Sequence, residues 1–233
     1  MILAAFLLGA SYGEHLLEAT LARHPELRSI AVAVAGAPAL RVGVPAGRIA
    51  IAPLTNAMGE PIGTVTVTAS GTAVRAEPTA ADLARRIYVV GNLGEPDPFV
   101  AGAAASRFAQ QLIDRALVDF PDLVTLAFHV ATNKRGNIII ASSFGRIGKP
   151  GDADDARIIA TGVAAREMTN GGRRLAVETP LFDRAGRTVG ALSMSFRIGV
   201  EASAAAADRR AILIRDALAR RIPSLGVLSA DAR

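Results

Sequence analysis

The feature that most constrains the fold of this 233-residue chain is an internal repeat. Residues 15–34 align with residues 111–130, and both segments read as a helix, a Pro-acid-Leu turn and an apolar strand. Two shorter matches follow in the same order and pair residues 54–63 with 181–190 and residues 83–87 with 218–222. Three matches in one order predict two copies of one module.

The two copies are predicted to differ in length. The first match is displaced by 96 residues, from 15 to 111, and the second by 127, from 54 to 181. The second copy therefore carries 31 residues, between about positions 130 and 172, that the first copy lacks. We expect that the function of these residues belongs to the second module alone.

Each copy is predicted to contain a helix, a strand, a β-hairpin and a closing helix, which is an α+β fold with an antiparallel sheet and flanking helices. In the second copy Pro121 ends the first helix, and Asp152 followed by Gly162 marks a short helix by its N-cap and C-cap. The predicted helices of this copy cover residues 103–119, 152–160 and 202–221. Its predicted strands cover residues 123–130, 137–143, 174–182 and 188–197.

The repeat predicts a domain organisation. Residues 11–90 form a shortened module, residues 91–98 (GNLGEPDP) a linker rich in turn formers, and residues 99–233 a full module with its C-terminal helix. Residues 1–10 are apolar but too short to span a bilayer, and no other stretch is long enough. They can be a signal-peptide remnant that lacks a basic start or the beginning of a helix that runs to Arg23, and both interpretations stay open.

Composition excludes several classes of protein. The 26 basic and 21 acidic residues give a net charge of +5. Lys134 and Lys149 are the only lysines, and the arginines are scattered along the sequence. Aromatic residues make up 4%, too few for a base-stacking platform, so we expect no nucleic-acid partner. The absence of Cys excludes disulfides, thiolate zinc sites, iron–sulfur clusters and a Cys nucleophile.

Motifs for catalysis or metal binding do not emerge either. The three histidines, His15, His24 and His129, have no metal-ligand spacing, and no nucleophile elbow, P-loop or dinucleotide fingerprint is present. His129 sits in an apolar strand, where a histidine belongs to the core or to a pocket. We therefore predict no enzyme, no cofactor and no metal.

The second copy resembles the Cache/PAS-like fold of bacterial extracytoplasmic sensors. The likeness covers about residues 103–221 and is carried by three segments: NIIIASS at 137–143, FGRIGK at 144–149 with the acids after it, and a hairpin whose turn reads D-x-x-G-x-x-x-G from Asp183. The resemblance implies a lid over a ligand pocket, formed by the loop and the short helix after the second strand. It also implies a periplasmic or otherwise extracytoplasmic location. No kinase, methyl-accepting or cyclase segment is found in the sequence, so we expect the output on a separate, membrane-bound signalling partner, and a homodimer is an open option.

The sharpest candidate site lies in the extra residues of the second copy. Arg146 and Lys149 can bind a carboxylate or phosphate, or they can pair with neighbouring acids in a solvated loop. Those acids, Asp152, Asp154 and Asp155, are expected to cap a helix, because Arg157 replaces the glycine that a calcium loop requires at position six.

Alternation places Glu178 on the same strand face as Arg174 and Ala176. If that face lines the pocket, Glu178 can bind an amine or pair with Arg146 as a gate, and if it faces solvent, Glu178 is an ordinary polar residue. The candidate ligand-binding residues are Arg146, Lys149, Ser142, Ser143, Glu178, Phe128 and His129.

We therefore expect a sensory module that binds a small, anionic metabolite in its second half and signals through a separate partner. The alternative is a structural or protein-interaction module without a ligand, which a pocket filled by Phe128, Met194 and Phe196 would favour. A cluster of buried titratable groups in one cleft would instead favour an enzyme.

Overall fold

The computed structural model describes residues 11–55, 60–71, 76–90, 93–94, 103–132, 136–199 and 203–232. The predicted signal segment, most of the predicted linker and the turn at 133–135 lie outside these residues. The fold is α+β with two antiparallel sheets and flanking helices, as the sequence predicts. No described helix combines the length and the apolar composition needed to cross a bilayer.

The first half forms a four-stranded sheet with the order β2-β1-β4-β3. Its helices pack on one face of that sheet, α1 against β1 and β2 and α2 against β3 and β4. The elements are α1 (Tyr12–Arg23), β1 (Leu27–Val34), β2 (Leu40–Gly43), β3 (Arg48–Thr55), β4 (Pro61–Ala69) and α2 (Ala76–Val90).

The second half forms a five-stranded sheet with the order β6-β5-β9-β8-β7. The sequence does not predict β2, β7 or α6, because β2 and α6 have four residues each and β7 is a mostly exposed edge strand without apolar alternation. The elements are α3 (Arg107–Asp119), β5 (Leu123–Thr132), β6 (Gly136–Ser142), α4 (Ala153–Thr161), β7 (Ala165–Thr169), β8 (Arg174–Phe182), β9 (Thr188–Arg197), α5 (Ala204–Ala219) and α6 (Leu225–Leu228).

The two sheets share more than their strand order. The pairing register of each central strand shifts at its start, after Leu27 in β1 and after Leu123 in β5. The hairpin pairing shifts again after Leu54 in β3 and after Leu181 in β8. These positions are equivalent in the sequence alignment, so the irregularities recur with the residues that align. The α4 and β7 elements occupy the extra residues and have no counterpart among the described residues of the first half.

Two hydrophobic cores cover the two faces of the second sheet. Phe128, Met194 and Phe196 point to the face covered by α3 and α5 and pack there with helix side chains. On the opposite face Val124 and Phe144 join the core of the first half. The second sheet is therefore shared, with its own helices on one side and the first half on part of the other.

Candidate functional site

A cavity of about 420 Å³ lies on the face of the second sheet that α3 and α5 leave uncovered. The loop of residues 143–152, called the lid loop below, and α4 border it, and Tyr12 of α1 completes the lining. The floor is mostly polar, because six polar side chains outnumber the apolar residues Ile139, Ala176 and Met194. The polar residues are Thr125, His129, Arg174, Glu178, Ser193 and Ser195. Its volume is in the range of pockets that hold small molecules.

Strand pairing explains why these floor residues lie together. Side chains two residues apart on a strand point to one face, so Arg174 and Glu178 of β8 share the cavity face as the alternation predicts. Glu178 lies directly opposite Ser193 of β9, whereas Thr125 of β5 lies opposite Ser195. Of the two interpretations of Glu178, the structure therefore favours the one in which this residue faces the cavity.

Glu178 is a partly buried carboxylate with one fixed partner. Ser193 Oγ donates a hydrogen bond to Glu178 Oε1 at 2.9 Å. Burial raises the pKa of Glu178, the hydrogen bond from Ser193 opposes that rise, and the nearby Asp155 carboxylate adds to it. Glu178 therefore retains a proton to a higher pH than an ordinary glutamate.

Backbone hydrogen bonds attach the lid loop to the outer edge of β6. Ile139 N–H donates to the carbonyl of Lys149 at 2.9 Å, and Gly148 N–H donates to the carbonyl of Ile139 at 2.8 Å. Pro150 forms a bridge with Ile138 immediately beyond. These contacts hold Lys149 at the rim of the cavity, which it lines.

Arg146 is held by aromatic rings from both halves of the chain. Its guanidinium carbon lies 4.1 Å from the ring centroid of Tyr12 and 5.2 Å from that of Phe144. The two rings stack on each other at 5.2 Å with an interplanar angle of 20°. Arg146 has a φ of 67°, a left-handed conformation that few side-chain-bearing residues adopt. The two rings therefore fix the position of its guanidinium.

The acids that follow the lid loop cap α4. Asp152 Oδ1 accepts hydrogen bonds from the N–H groups of Asp154 and Asp155, and Asp155 Oδ2 accepts one from Asp152 N–H. Gly162 ends the helix in the left-handed conformation. The predicted capping is confirmed, and no group of three metal-ligating side chains occurs among the described residues.

Asp155 also connects α4 to the floor of the cavity. Its side chain is 2% exposed, and its Oδ2 lies 2.8 Å from Nδ1 of His129, whose side chain is 12% exposed. The atoms are not aligned as in a linear hydrogen bond, so this is an ion contact when His129 is protonated. Oδ1 of Asp155 is buried and has no hydrogen-bond partner among the described residues.

Four predicted ligand-binding residues, Arg146, Lys149, Glu178 and His129, line this cavity together. The structure places the other three elsewhere. Phe128 is fully buried on the opposite face of the sheet, because it is adjacent to His129 in an alternating strand.

The hydroxyl groups of Ser142 and Ser143 accept hydrogen bonds from backbone N–H groups and do not line the cavity. Ser142 Oγ accepts from Phe144 N–H at 3.1 Å, and Ser143 Oγ accepts from Leu126 N–H at 3.0 Å. Ser142 borders a separate cleft of about 540 Å³ between α1 and α3, and Arg146 lines both spaces.

Sequence reasoning did not include Tyr12, Arg174 or Asp155 among the site residues. Arg174 carried a usable signal, because alternation placed it on the face of Glu178. The sequence predicts that Asp155 caps a helix or pairs with the basic residues of the loop, and neither role places it in the cavity. Tyr12 carried no signal, because it reaches the cavity only through the packing of α1 against the second half.

No family model matches this sequence, and no curated protein matches it either. Solved structures that match in part include HmgR of Pseudomonas aeruginosa, at 14% identity over 51% of this chain and 65% of that chain, with a TM-score of 0.31. The match therefore spans less than two-thirds of the HmgR chain.

A second partial match is the inducer-binding domain of the PobR transcription factor from Acinetobacter, a double mutant in complex with 3-hydroxybenzoic acid. It shows 10% identity over 53% of this chain and 99% of that chain, with a TM-score of 0.33. The Agobacterium tumefaciens repressor BlcR shows 12% identity over 73% and 77%, with a TM-score of 0.35. With TM-scores below 0.5, none of these likenesses extends to function.

Proposed function

We propose that this protein is a sensory module of Cache/PAS-like type that binds a small, negatively charged metabolite in the cavity of its second half. The observation that carries the proposal is the position of Arg146 and Lys149, which border a partly open cavity with a mostly polar floor. The recurrence of strand order and register shifts supports an origin of both halves from one module.

The setting of Arg146 suits an anion. The aromatic rings of Tyr12 and Phe144 hold its guanidinium, and a guanidinium offers its N–H groups in a fork that matches a carboxylate or a phosphate. Lys149 adds a second positive charge from the same loop. A preorganised cation binds an anion with little loss of side-chain entropy.

The alternative without a ligand requires a cavity filled by the protein's own side chains. Phe128 and Phe196 instead pack in the core on the opposite face, and Met194, which also borders the cavity, is packed in that core as well. The space of about 420 Å³ above the sheet stays open in their absence. This arrangement supports the binding function over a purely structural one.

An acid–base enzyme is a second candidate, because His129, Asp155 and Glu178 come together in one cavity. Perturbed and closely spaced titratable groups are typical of catalytic sites and also occur in binding sites. A bound compound that is recovered chemically altered after incubation with the protein, as detected by mass spectrometry, would favour this candidate over the sensory one.

We expect the signal to travel through the lid. An anion that binds Arg146 in the cavity also acts on Tyr12, which contacts the guanidinium, and hence on α1 of the first half. Ligand contacts thereby favour one arrangement of α1 and α4, which a separate membrane-bound partner outside the cytoplasm detects. A homodimer is part of the same proposal.

A thermal-shift screen of small carboxylates and phosphate esters on the full chain tests the proposal. The full chain is needed because Tyr12 lines the cavity. A compound that binds the cavity raises the melting temperature, and the variants Arg146→Met and Lys149→Met reduce that rise. Arg157→Met is the matched control, because Arg157 lies on α4 and pairs with Asp154 at the surface.

The control variant is expected to keep the full shift. A screen without any stabilising anion, or with compounds whose shifts are the same in all variants, would contradict the proposed function.

A further inference from the structure

One titratable pair joins α4 to the floor of the cavity, beside the apolar packing of Ile158. Asp155 is the only buried acid of α4, and its Oδ2 lies 2.8 Å from Nδ1 of His129 on β5. Asp154, its neighbour, is exposed and pairs with Arg157 on the same helix. The charge on Asp155 therefore faces the sheet, and His129 is placed to balance it.

We propose that this pair is a proton-dependent latch, in which protonated His129 holds α4 and the lid loop closed over the cavity. The inference rests on the proposed function, because it describes the regulation of the same site. It predicts that the site closes as pH falls through the range in which histidine takes up a proton.

The carboxylate of Asp155 is buried when α4 packs on the sheet. A buried carboxylate is costly unless charges and hydrogen bonds compensate it. Oδ2 has the backbone N–H of Asp152 and the ring of His129, whereas Oδ1 has no hydrogen-bond partner among the described residues. When His129 is neutral, the closed state retains the buried negative charge but loses its positive partner, and an opened lid exposes the carboxylate to water.

The sign of the pH dependence follows from this difference. Protonated His129 gains more from Asp155 in the closed state than in an open state, where water screens the pair. Protonation of His129 therefore favours the closed state. Histidine side chains in general change charge between about pH 5 and 8, which sets the pH range for the experiment.

Other charged groups surround His129 and set the limits of the effect. Carboxylates from α4 and β8 favour the protonated ring, and cations of the lid loop and of the start of β8 oppose it. The charged side chains that line the cavity with His129 are Asp152, Asp155, Glu178, Lys149, Arg146 and Arg174. Burial raises the pKa of Glu178, so this carboxylate is neutralised toward the acidic end and weakens the latch there.

The position of the latch links it to ligand access. Gly151 immediately precedes Asp152 and packs closely, because a Cβ atom there would lie 2.2 Å from Asn137 Nδ2 and 2.9 Å from Asp155 Oδ2. The end of the lid loop, the start of α4 and the carboxylate of Asp155 therefore form one tightly packed unit. We expect that a change at His129 moves the lid loop together with α4.

Hydrogen exchange of the ligand-free full chain tests the latch. Backbone amides of α4 are compared at about pH 6 and about pH 8, after correction for intrinsic exchange rates, with amides of α5 as the reference for the whole fold. We expect α4 to open about fivefold more at the higher pH relative to α5. Because no ligand is added, a failure here is distinct from a failure of the ligand screen.

Four variants identify the group that titrates. His129→Gln is expected to abolish the pH dependence of α4, whereas His24→Gln keeps it, because His24 lies 3.4 Å from Glu26 near the surface. Glu178→Gln also keeps it if His129 is the switch. Asp155→Asn weakens the helix cap and lowers protection overall, but it too is expected to remove the pH dependence.

The inference is overturned by equal protection of α4 at both pH values in the wild-type protein. It is also overturned by a pH dependence that persists in His129→Gln, or by one that Glu178→Gln alone abolishes. If His129→Gln does not fold, Asp155→Asn decides in the same way.

Discussion

Arg86 of α2 donates a hydrogen bond from Nη1 to the carbonyl oxygen of Leu123 of β5 at 2.8 Å, and so joins the two halves of the chain. The same nitrogen donates to the carbonyl of Val124, also at 2.8 Å, and Nε contacts Asp82 Oδ2 at 2.7 Å. These carbonyls lie where β5 shifts its register against β9. The guanidinium therefore satisfies backbone groups that the irregular strand leaves available.

Substitution of Arg86 by Met is expected to lower the free energy of unfolding by about 3 kcal/mol. The change leaves two buried carbonyls without their donor and removes one of the two arginine donors to Asp82. The lost groups are not replaced by water, because the side chain of Arg86 is only 7% exposed. Urea denaturation of the full chain measures the effect. Arg85→Met is the control, since Arg85 contacts the same Asp82 from a more exposed position, and a loss below about 1 kcal/mol is expected. Equal losses would contradict this assignment.

Gly63→Ala and Gly190→Ala are each expected to destabilise the protein by about 2 kcal/mol. An added Cβ would lie 2.1 Å from the carbonyl oxygen of Ala33 at Gly63 and 2.3 Å from that of His129 at Gly190. Both obstacles are strand backbone, which cannot move without breaking the sheet. Thermal denaturation measures the cost.

Gly199→Ala is the matched control for these two substitutions, because no atom lies within 4 Å of the Cβ position there. We expect its free energy of unfolding to stay within about 1 kcal/mol of the wild-type value. Stabilities of Gly63→Ala and Gly190→Ala that match the control would contradict the close packing at these two equivalent positions.

The sequence predicted the local structure of the second half more completely than its site. Apolar alternation and turn residues located β8 and β9, and the N-cap at Asp152 located α4, because these signals arise within a few residues of the chain. The choice of cavity residues depends on which sheet face remains uncovered. Alternation separates Phe128 from His129, but it cannot say which of the two faces the helices cover.

Contacts between the two halves could not be predicted from one sequence. Arg86 lies in residues 83–87, which align with residues 218–222 of the second copy. Its hydrogen bonds to β5 nevertheless depend on how the two halves pack. Tyr12 likewise reaches Arg146 through the position of α1. In both cases long-range packing, which has no local sequence signal, determines the role of the residue.

Tyr12→Leu is expected to lower the free energy of unfolding by about 2 kcal/mol, because it removes a stacked ring pair and a cation–π contact together. The ring of Tyr12 contacts Phe144 at 5.2 Å and the guanidinium of Arg146 at 4.1 Å. Tyr12→Phe keeps both contacts and is expected to retain most of the stability. Urea denaturation compares the three proteins, and equal losses in both variants would show that the hydroxyl group matters more than the ring.

Glu178→Gln is expected to raise the free energy of unfolding at neutral pH and to reduce its pH dependence. Burial raises the pKa of Glu178 above its ordinary value of 4.5, so the folded protein binds this proton more tightly than the unfolded chain. Wild-type stability therefore increases as pH falls from neutral through the raised pKa and reaches its full gain below the ordinary value. The glutamine carries no charge at any pH and keeps an oxygen that accepts from Ser193.

Urea denaturation of both proteins between about pH 4 and about pH 8 checks this expectation, with the largest difference predicted at the upper end. Glu167→Gln serves as the control, because Glu167 is exposed on β7 and is expected to leave the pH profile unchanged. A Glu178→Gln variant that is less stable than the wild type at neutral pH would mean that the charged carboxylate stabilises the fold without a ligand. If the variant is more stable, the charged carboxylate of Glu178 lowers the free energy of unfolding at neutral pH. A bound ligand can restore that stability, because a donor group placed against the carboxylate compensates the charge that burial penalises.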